Sequence, residues 1–310
     1  MSFIVGAYAS APADDAGDHL RRVAELPGFG GVELPFHDDP GRDASSVAAL
    51  RPEWDVVLTA IAATVLRNQR EPGFGLASPD ETGRRAAVAT ARALADQVRV
   101  IDDHAGRAAV VAVELHSAPS GSGTTAAFAR SLAELAELGW DDALVTVEHC
   151  DSVAGPPPHQ KGYLTFDDEL AVVRETDSRF AMTVNWGRSA IDGRSARTPV
   201  EHVTALRDAG RLGGVMFSGA TDHESVYGVP WLDAHLPPST GAETEFADLR
   251  SGTEATSLLG PAQIRATLHA AGGTQRFTGL KISVRPAELD AATRIEHVRA
   301  ALELLGRVTP

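Results

Sequence analysis

Seven polar residues stand in or at the ends of short apolar runs: Glu33, Glu114, His116, Glu148, Asn185, Ser218 and Lys281. In an extended strand, side chains two residues apart point to one face. Ala112, Glu114 and His116 therefore share a face opposite Val111, Val113 and Leu115, while Thr146 and Glu148 oppose Val145 and Val147. Thr183 and Asn185 oppose Met182, Val184 and Trp186; Lys281 and Ser283 oppose Leu280, Ile282 and Val284; Gly31, Glu33 and Pro35 oppose Val32, Leu34 and Phe36. Converging on one cavity, such a set suits proton transfer. A carboxylate or imidazole takes and returns the proton, an ammonium stabilises a developing oxyanion, and an amide and a hydroxyl hold substrate hydroxyls. Three carboxylates cannot share a small buried space fully ionised without a cation or a proton. Lys281 is the internal counter-ion, with a bound metal as its rival. It is one of two lysines, with Lys161, among 28 Lys and Arg residues. A lysine kept in a strand of so arginine-biased a chain points to a need for a compact ammonium.

Eight apolar runs alternate with amphipathic segments. The runs are Phe3–Ala9, Gly30–Phe36, Val56–Ala63, Ala109–His116, Ala143–His149, Phe180–Trp186, Gly214–Gly219 and Gly279–Val284. Helical periodicity covers Asp14–Leu26, Asp80–Asp102, Thr124–Leu138, Thr165–Glu175, Pro199–Ala209, Pro261–Ala271 and Leu289–Leu305, with only a short helix expected in Asp38–Pro52. Strands each followed by a helix predict an α/β fold, a single (β/α)8 TIM barrel over residues 1–310. Two connections, 151–163 and 220–258, exceed an ordinary loop and follow strands, so both are expected on the C-terminal face, where barrel sites lie.

The rim adds binding candidates. The second long loop carries Asp222, His223, Trp231, Asp233 and His235, with His223 and Trp231 as a polar contact and an aromatic wall. Trp186 and Arg188 offer a stacking surface and an anion contact, and His37 a contact from beyond the second run. His149 and Asp151 have the opposite parity to Glu148; Cys150 shares it and reads as packing. Lys161, on a Pro-rich loop, reads as solvated.

Composition narrows the function classes. The 310 residues are 43% hydrophobic and 23% charged, enough for one large core. A net charge of -14 disfavours a nucleic-acid partner, which needs a basic stripe to release counterions. One cysteine allows neither an intrachain disulfide nor a cysteine zinc cluster. With no signal-peptide pattern at Met1–Gly6 and no apolar run near the roughly 20 residues that span a bilayer, a cytoplasmic protein without a membrane partner is expected.

The segment Gly75-Leu-Ala-Ser-Pro-Asp-Glu-Thr-Gly-Arg-Arg-Ala-Ala-Val88, the run Gly31-Val-Glu-Leu34 and the glutamate Glu148 together resemble the xylose-isomerase-like (β/α)8 superfamily of sugar isomerases, epimerases and endonuclease IV. Glu148-His-Cys-Asp151 followed by Lys161-Gly-Tyr-Leu164 looks like an uncharacterised bacterial subgroup of it. The resemblance implies carbohydrate chemistry on a small-molecule sugar, and self-association is expected from it. Sugar epimerases of this kind hold a divalent metal through a Glu, Asp, His and Glu ending the fifth to eighth strands. Here those positions read Glu148, Asn185, Ser218 and Lys281. An ammonium in place of an anionic ligand repels a divalent cation, so no cofactor is expected; the rival is a displaced Mn, Zn or Mg site on Glu114, His116 and Glu148. The leading expectation is an isomerase or epimerase working by proton transfer next to a carbonyl, with Glu148, Glu114, His116 and Lys281 as catalytic residues. Glu33, His37, Asn185, Trp186, Arg188, Ser218, His223 and Trp231 would bind substrate. Two alternatives stay open: a glycoside hydrolase or lyase using Glu114 and Glu148, and a carbohydrate-binding barrel without chemistry. An endonuclease IV type of repair enzyme is the weakest, because the acidic charge opposes it and zinc ligands are lacking at several strand ends.

Overall fold

The computed structural model describes residues 2–309. Eight strands form one closed parallel barrel in chain order. They are β1 (Phe3–Val5), β2 (Phe29–Pro35), β3 (Asp55–Thr59), β4 (Val110–Leu115), β5 (Leu144–Glu148), β6 (Phe180–Asn185), β7 (Leu212–Phe217) and β8 (Phe277–Leu280). The helices are α1 (Ala16–Val23), α2 (Pro40–Ala48), α3 (Ile61–Arg70), α4 (Glu81–Ala105), α5 (Thr125–Ala136), α6 (Phe166–Glu175), α7 (Trp186–Gly193), α8 (Thr198–Asp208), α9 (Pro261–Ala271) and α10 (Ala291–Val308). This is the expected (β/α)8 architecture.

Residue contacts divide the chain into two compact units. One comprises Met1–Glu33, Val184–Arg207 and Val215–Pro310, the other Leu34–Thr183 and Asp208–Gly214. In the second unit the ladder places Thr59 beside Glu114, Glu114 beside Thr146, and Glu148 beside Thr183. In the first, β1 pairs with β2 through Val5 and Val32, and with β8 through Val5 and Leu280.

Helix starts follow side-chain capping. Asp15, Asp39, Asp80, Thr124, Thr165, Asn185 and Asp290 each accept a backbone N–H from the first turn that follows, satisfying a donor that has no partner inside the helix. α4 and α9 end on Gly106 and Gly272 in the left-handed conformation, which glycine adopts without a Cβ clash. α4 turns Ala87, Ala91, Leu94, Ala95, Val98 and Ile101 inward at helical spacing. Its buried Arg84 binds Glu81, Glu134 and the Ser131 hydroxyl.

Three departures from the sequence reading share one cause: apolar character runs on past the strand end. Val56–Ala63 divides into β3 and the start of α3, the ladder ending where the Ala60 N–H donates to the Glu114 carbonyl. Phe180–Trp186 divides likewise, and Trp186 opens α7 instead of closing a strand. β8 stops at Leu280, so Lys281 is the first residue beyond the strand, its N–H donating to the Phe217 carbonyl at 2.8 Å. Among the described residues no helix is long and apolar enough to cross a membrane.

Candidate functional site

In the first unit the central feature is a buried ion pair. Lys281 Nζ lies 2.9 Å from Glu33 Oε1, with side-chain exposures of 1% and 0%. The ammonium also stands 5.2 Å from the centre of the Tyr8 ring, a cation–π distance. Gly6 lets the pair form: a Cβ there would sit 2.5 Å from Glu33 Oε2 and 3.0 Å from Lys281 Cγ.

A second buried group of this unit surrounds Arg188 on α7. Its Nε donates to Asp233 Oδ2 at 3.1 Å, and Asp233 Oδ1 lies 3.4 Å from His235 Nδ1. That nitrogen is 2.7 Å from the Ser218 hydroxyl. The Asn185 side chain caps α7 by accepting the Arg188 N–H. Trp186 is fully buried. The loop beyond β7 is tied back by the Trp231 N–H to the Thr221 carbonyl and by the Ser283 N–H to the His235 carbonyl. Trp231 and His235 have φ of 63° and 51°, left-handed backbone that costs energy for residues other than glycine. The Arg194 guanidinium lies over the Trp231 ring at 5.5 Å. His223 is placed at the surface, 72% exposed and paired with Asp222.

In the second unit His116 Nε2 lies 2.9 Å from Glu148 Oε2, both fully buried. With Glu148 ionised, its carboxylate only accepts and the imidazole Nε2 is the donor. Glu114, two residues before His116, is also fully buried. His149 points away from Glu148, as its parity requires, and its Nδ1 meets Glu169 Oε2 at 2.6 Å. His37 is held by the Asp43 carboxylate, whose Oδ1 accepts its backbone N–H at 3.0 Å and lies 3.3 Å from its Nδ1. Burial foremost, then the nearby Arg42, holds the His37 imidazole below its ordinary pKa. The loop beyond β5 is closed by Asp151, whose carboxylate accepts the N–H groups of Gln160, Lys161 and Gly162. Cys150 packs with Ile61, Ala118 and Tyr163.

Glu114 and Glu148 of the second unit, and Glu33 of the first, are all buried carboxylates. The ligand positions implied by the epimerase resemblance do not fit a metal ion. Lys281 brings a cation already bonded to Glu33, the Asn185 oxygen is occupied as a helix cap, and the Ser218 hydroxyl is bonded to His235. The alternative set of Glu114, His116 and Glu148 would require His116 Nε2 to give up its proton and its contact with Glu148.

Two partners escaped the sequence reading. Glu169, the acceptor for His149, looks like any acidic residue in a helix's first turn. Asp233 reads in the sequence only as a loop residue, and nothing local marks it as the partner of Arg188, 45 positions away.

The closed eight-stranded barrel superposes on solved structures named as sugar epimerases and xylose-isomerase-like proteins. A D-psicose 3-epimerase from Clostridium cellulolyticum H10 superposes with a TM-score of 0.59 at 15% identity, covering 99% of each chain. A xylose isomerase domain containing protein from Salmonella typhimurium LT2 gives 0.60 at 13% identity, over 97% of this chain and 96% of that one. In sequence, the Uncharacterized protein STM3670 of Salmonella typhimurium (strain LT2) is 34% identical over 322 residues, 99% of this chain and 97% of that protein. The family described as Domain of unknown function (DUF4862) matches residues 4–297, and the chain belongs to that family.

Proposed function

We propose that the protein is a single-domain sugar or sugar-derivative isomerase or epimerase that moves a proton next to a carbonyl. The observation that carries this reading is the buried His116–Glu148 contact at the ends of β4 and β5. It pairs a base with an acid that differ in charge type, and burial pushes such groups toward sharing one proton. Glu148 or Glu114 removes the proton from the carbon beside the carbonyl; the other, or His116, returns it. Lys281 stabilises the enolate oxygen, the task that a divalent cation performs in the resembling epimerases. The Lys281 ammonium at a ligand position supports chemistry without that cation. Asn185, Ser218 and the Arg188 region bind substrate hydroxyls, with Trp231 as an apolar surface and His37 and His223 as further contacts, whereas Trp186, expected as a stacking surface, is fully buried in the core. The substrate is a small carbohydrate. The names of the structural neighbours, which include D-psicose 3-epimerase, support this class only through the shared fold.

The test is solvent isotope exchange. Purified protein is incubated in D2O with a panel of free ketoses and aldoses, with and without a chelator, and deuterium at the carbons beside the carbonyl is followed by proton NMR. Chelator-resistant exchange that is lost in Glu148→Gln and Lys281→Met is expected. Sugar binding without exchange would overturn the enzymatic reading in favour of a binding protein. Exchange abolished by chelator and restored by Mn, Zn or Mg would overturn the role of Lys281.

A further inference from the structure

β4 and β5 leave the barrel in register. Leu115 is paired with Val147, so the next positions are His116 beside Glu148 and then Ser117 beside His149. The first pair joins directly. The second pair faces the other way, and both of its members reach one carboxylate: the Ser117 hydroxyl donates to Glu169 Oε1 at 2.5 Å and His149 Nδ1 lies 2.6 Å from Glu169 Oε2.

We propose that Glu169 is a positioning residue that clamps the ends of β4 and β5 from outside, through Ser117 and His149, and so holds His116 and Glu148 at bonding distance. The surroundings favour an ionised Glu169 that accepts from both residues. The Ser117 oxygen accepts the Leu164 N–H, which leaves its own proton for Glu169. An ionised carboxylate accepts on both oxygens, so His149 carries its proton on Nδ1. Glu169 lies in the first turn of α6, where the helix dipole favours an anion, and Thr165 caps that turn. Phe166 meets the His149 ring edge-on at 5.5 Å, which limits its rotation. All three clamp residues are fully buried. A glutamine at 169 offers one accepting oxygen and one donating amide in place of two anionic acceptors, so the charge-assisted bonds to Ser117 and His149 are weakened and one of them must reverse or break.

The clamp rests on the proton-transfer reading only for its consequence in turnover, and its test needs no substrate. In the full chain labelled with 15N at histidine and backbone amides, the imidazole N–H protons of His116 and His149 are assigned and their exchange with solvent measured, with the Val113 amide as reference. Glu169→Gln is expected to expose both imidazole protons, with His116 exchanging about tenfold or more faster relative to Val113, as expected when a charge-assisted buried bond is lost. Ser117→Ala, which removes one arm only, should accelerate His116 less. If Glu169→Gln fails to fold, the Ser117→Ala result decides. The proposal is overturned if the His149 proton responds while that of His116 does not, or if His116 and Val113 accelerate equally. The second pattern would mean that Glu169 serves stability alone. A response of the His116 proton in a protein that catalyses no isotope exchange would leave the clamp standing and remove only the reading of its purpose.

Discussion

Replacing Lys281 by Met removes an ammonium and leaves Glu33 behind as a buried carboxylate whose side chain has no exposure. Breaking a buried pair from one side typically costs about 3–5 kcal/mol, because the remaining charge loses its compensation in a low dielectric. Removing both charges, as in Glu33→Gln with Lys281→Met, spares that penalty. The double variant should therefore be more stable than Lys281→Met alone, with a coupling of at least about 2 kcal/mol in the cycle. A domain with about 10 kcal/mol, the middle of the ordinary range, keeps the single variant folded without denaturant. Urea unfolding followed by circular dichroism is the assay; with slopes of about 3 kcal/mol/M, the single substitution should lower the midpoint by roughly 1–2 M. A coupling below about 0.5 kcal/mol would refute the argument, since it would mean that the two charges are solvated or otherwise compensated.

Gly6→Ala keeps an accessible backbone conformation but drives a methyl to 2.5 Å from Glu33 Oε2, and should cost about 1–3 kcal/mol by overpacking, read in the same unfolding assay. His19 is buried against Ser10, and burial foremost, with Arg294 and Arg22, lowers its pKa to about 4. Its folded pKa lies below the unfolded value of 6.5, so the unfolded chain binds the proton first as pH falls. The stability due to this group is present above pH 6.5 and is lost between about 6.5 and 4, by up to about 3 kcal/mol. Unfolding midpoints across that range should fall less in His19→Gln than in the natural chain. Asp151→Asn should lose part of the three-donor anchor of its loop, at about 1–3 kcal/mol, and limited proteolysis should then cut between residues 153 and 161 faster than elsewhere.

The barrel was legible because eight apolar runs alternate with helical periodicity, a pattern that burial on two sides of a parallel sheet imposes on the chain itself. Parity separated Glu148 from His149, and the structure has one on His116 and the other on Glu169. Element boundaries were not legible where apolar residues continue through a strand end, as at Ile61 and Trp186, since both a strand and an inward helix face demand them. The polar partners were hidden for a different reason. Asp233 and Glu169 owe their roles to distant residues, 45 positions away for Arg188 and 52 for Ser117. No local pattern encodes such a pairing. Lys281 stands out in the sequence because the chain uses arginine almost everywhere else, and its buried partner Glu33 lies 248 positions away.

The Asp151 carboxylate gathers the N–H groups of Gln160, Lys161 and Gly162, and Ser152 bridges to Tyr163, so the two feet of this loop are pinned together independently of what lies between them. Such a base insulates the strand end from the loop tip. Residues around Pro156–His159 thus lie on a segment whose length and composition can change while the end of β5 keeps its place, a natural point for insertion or grafting.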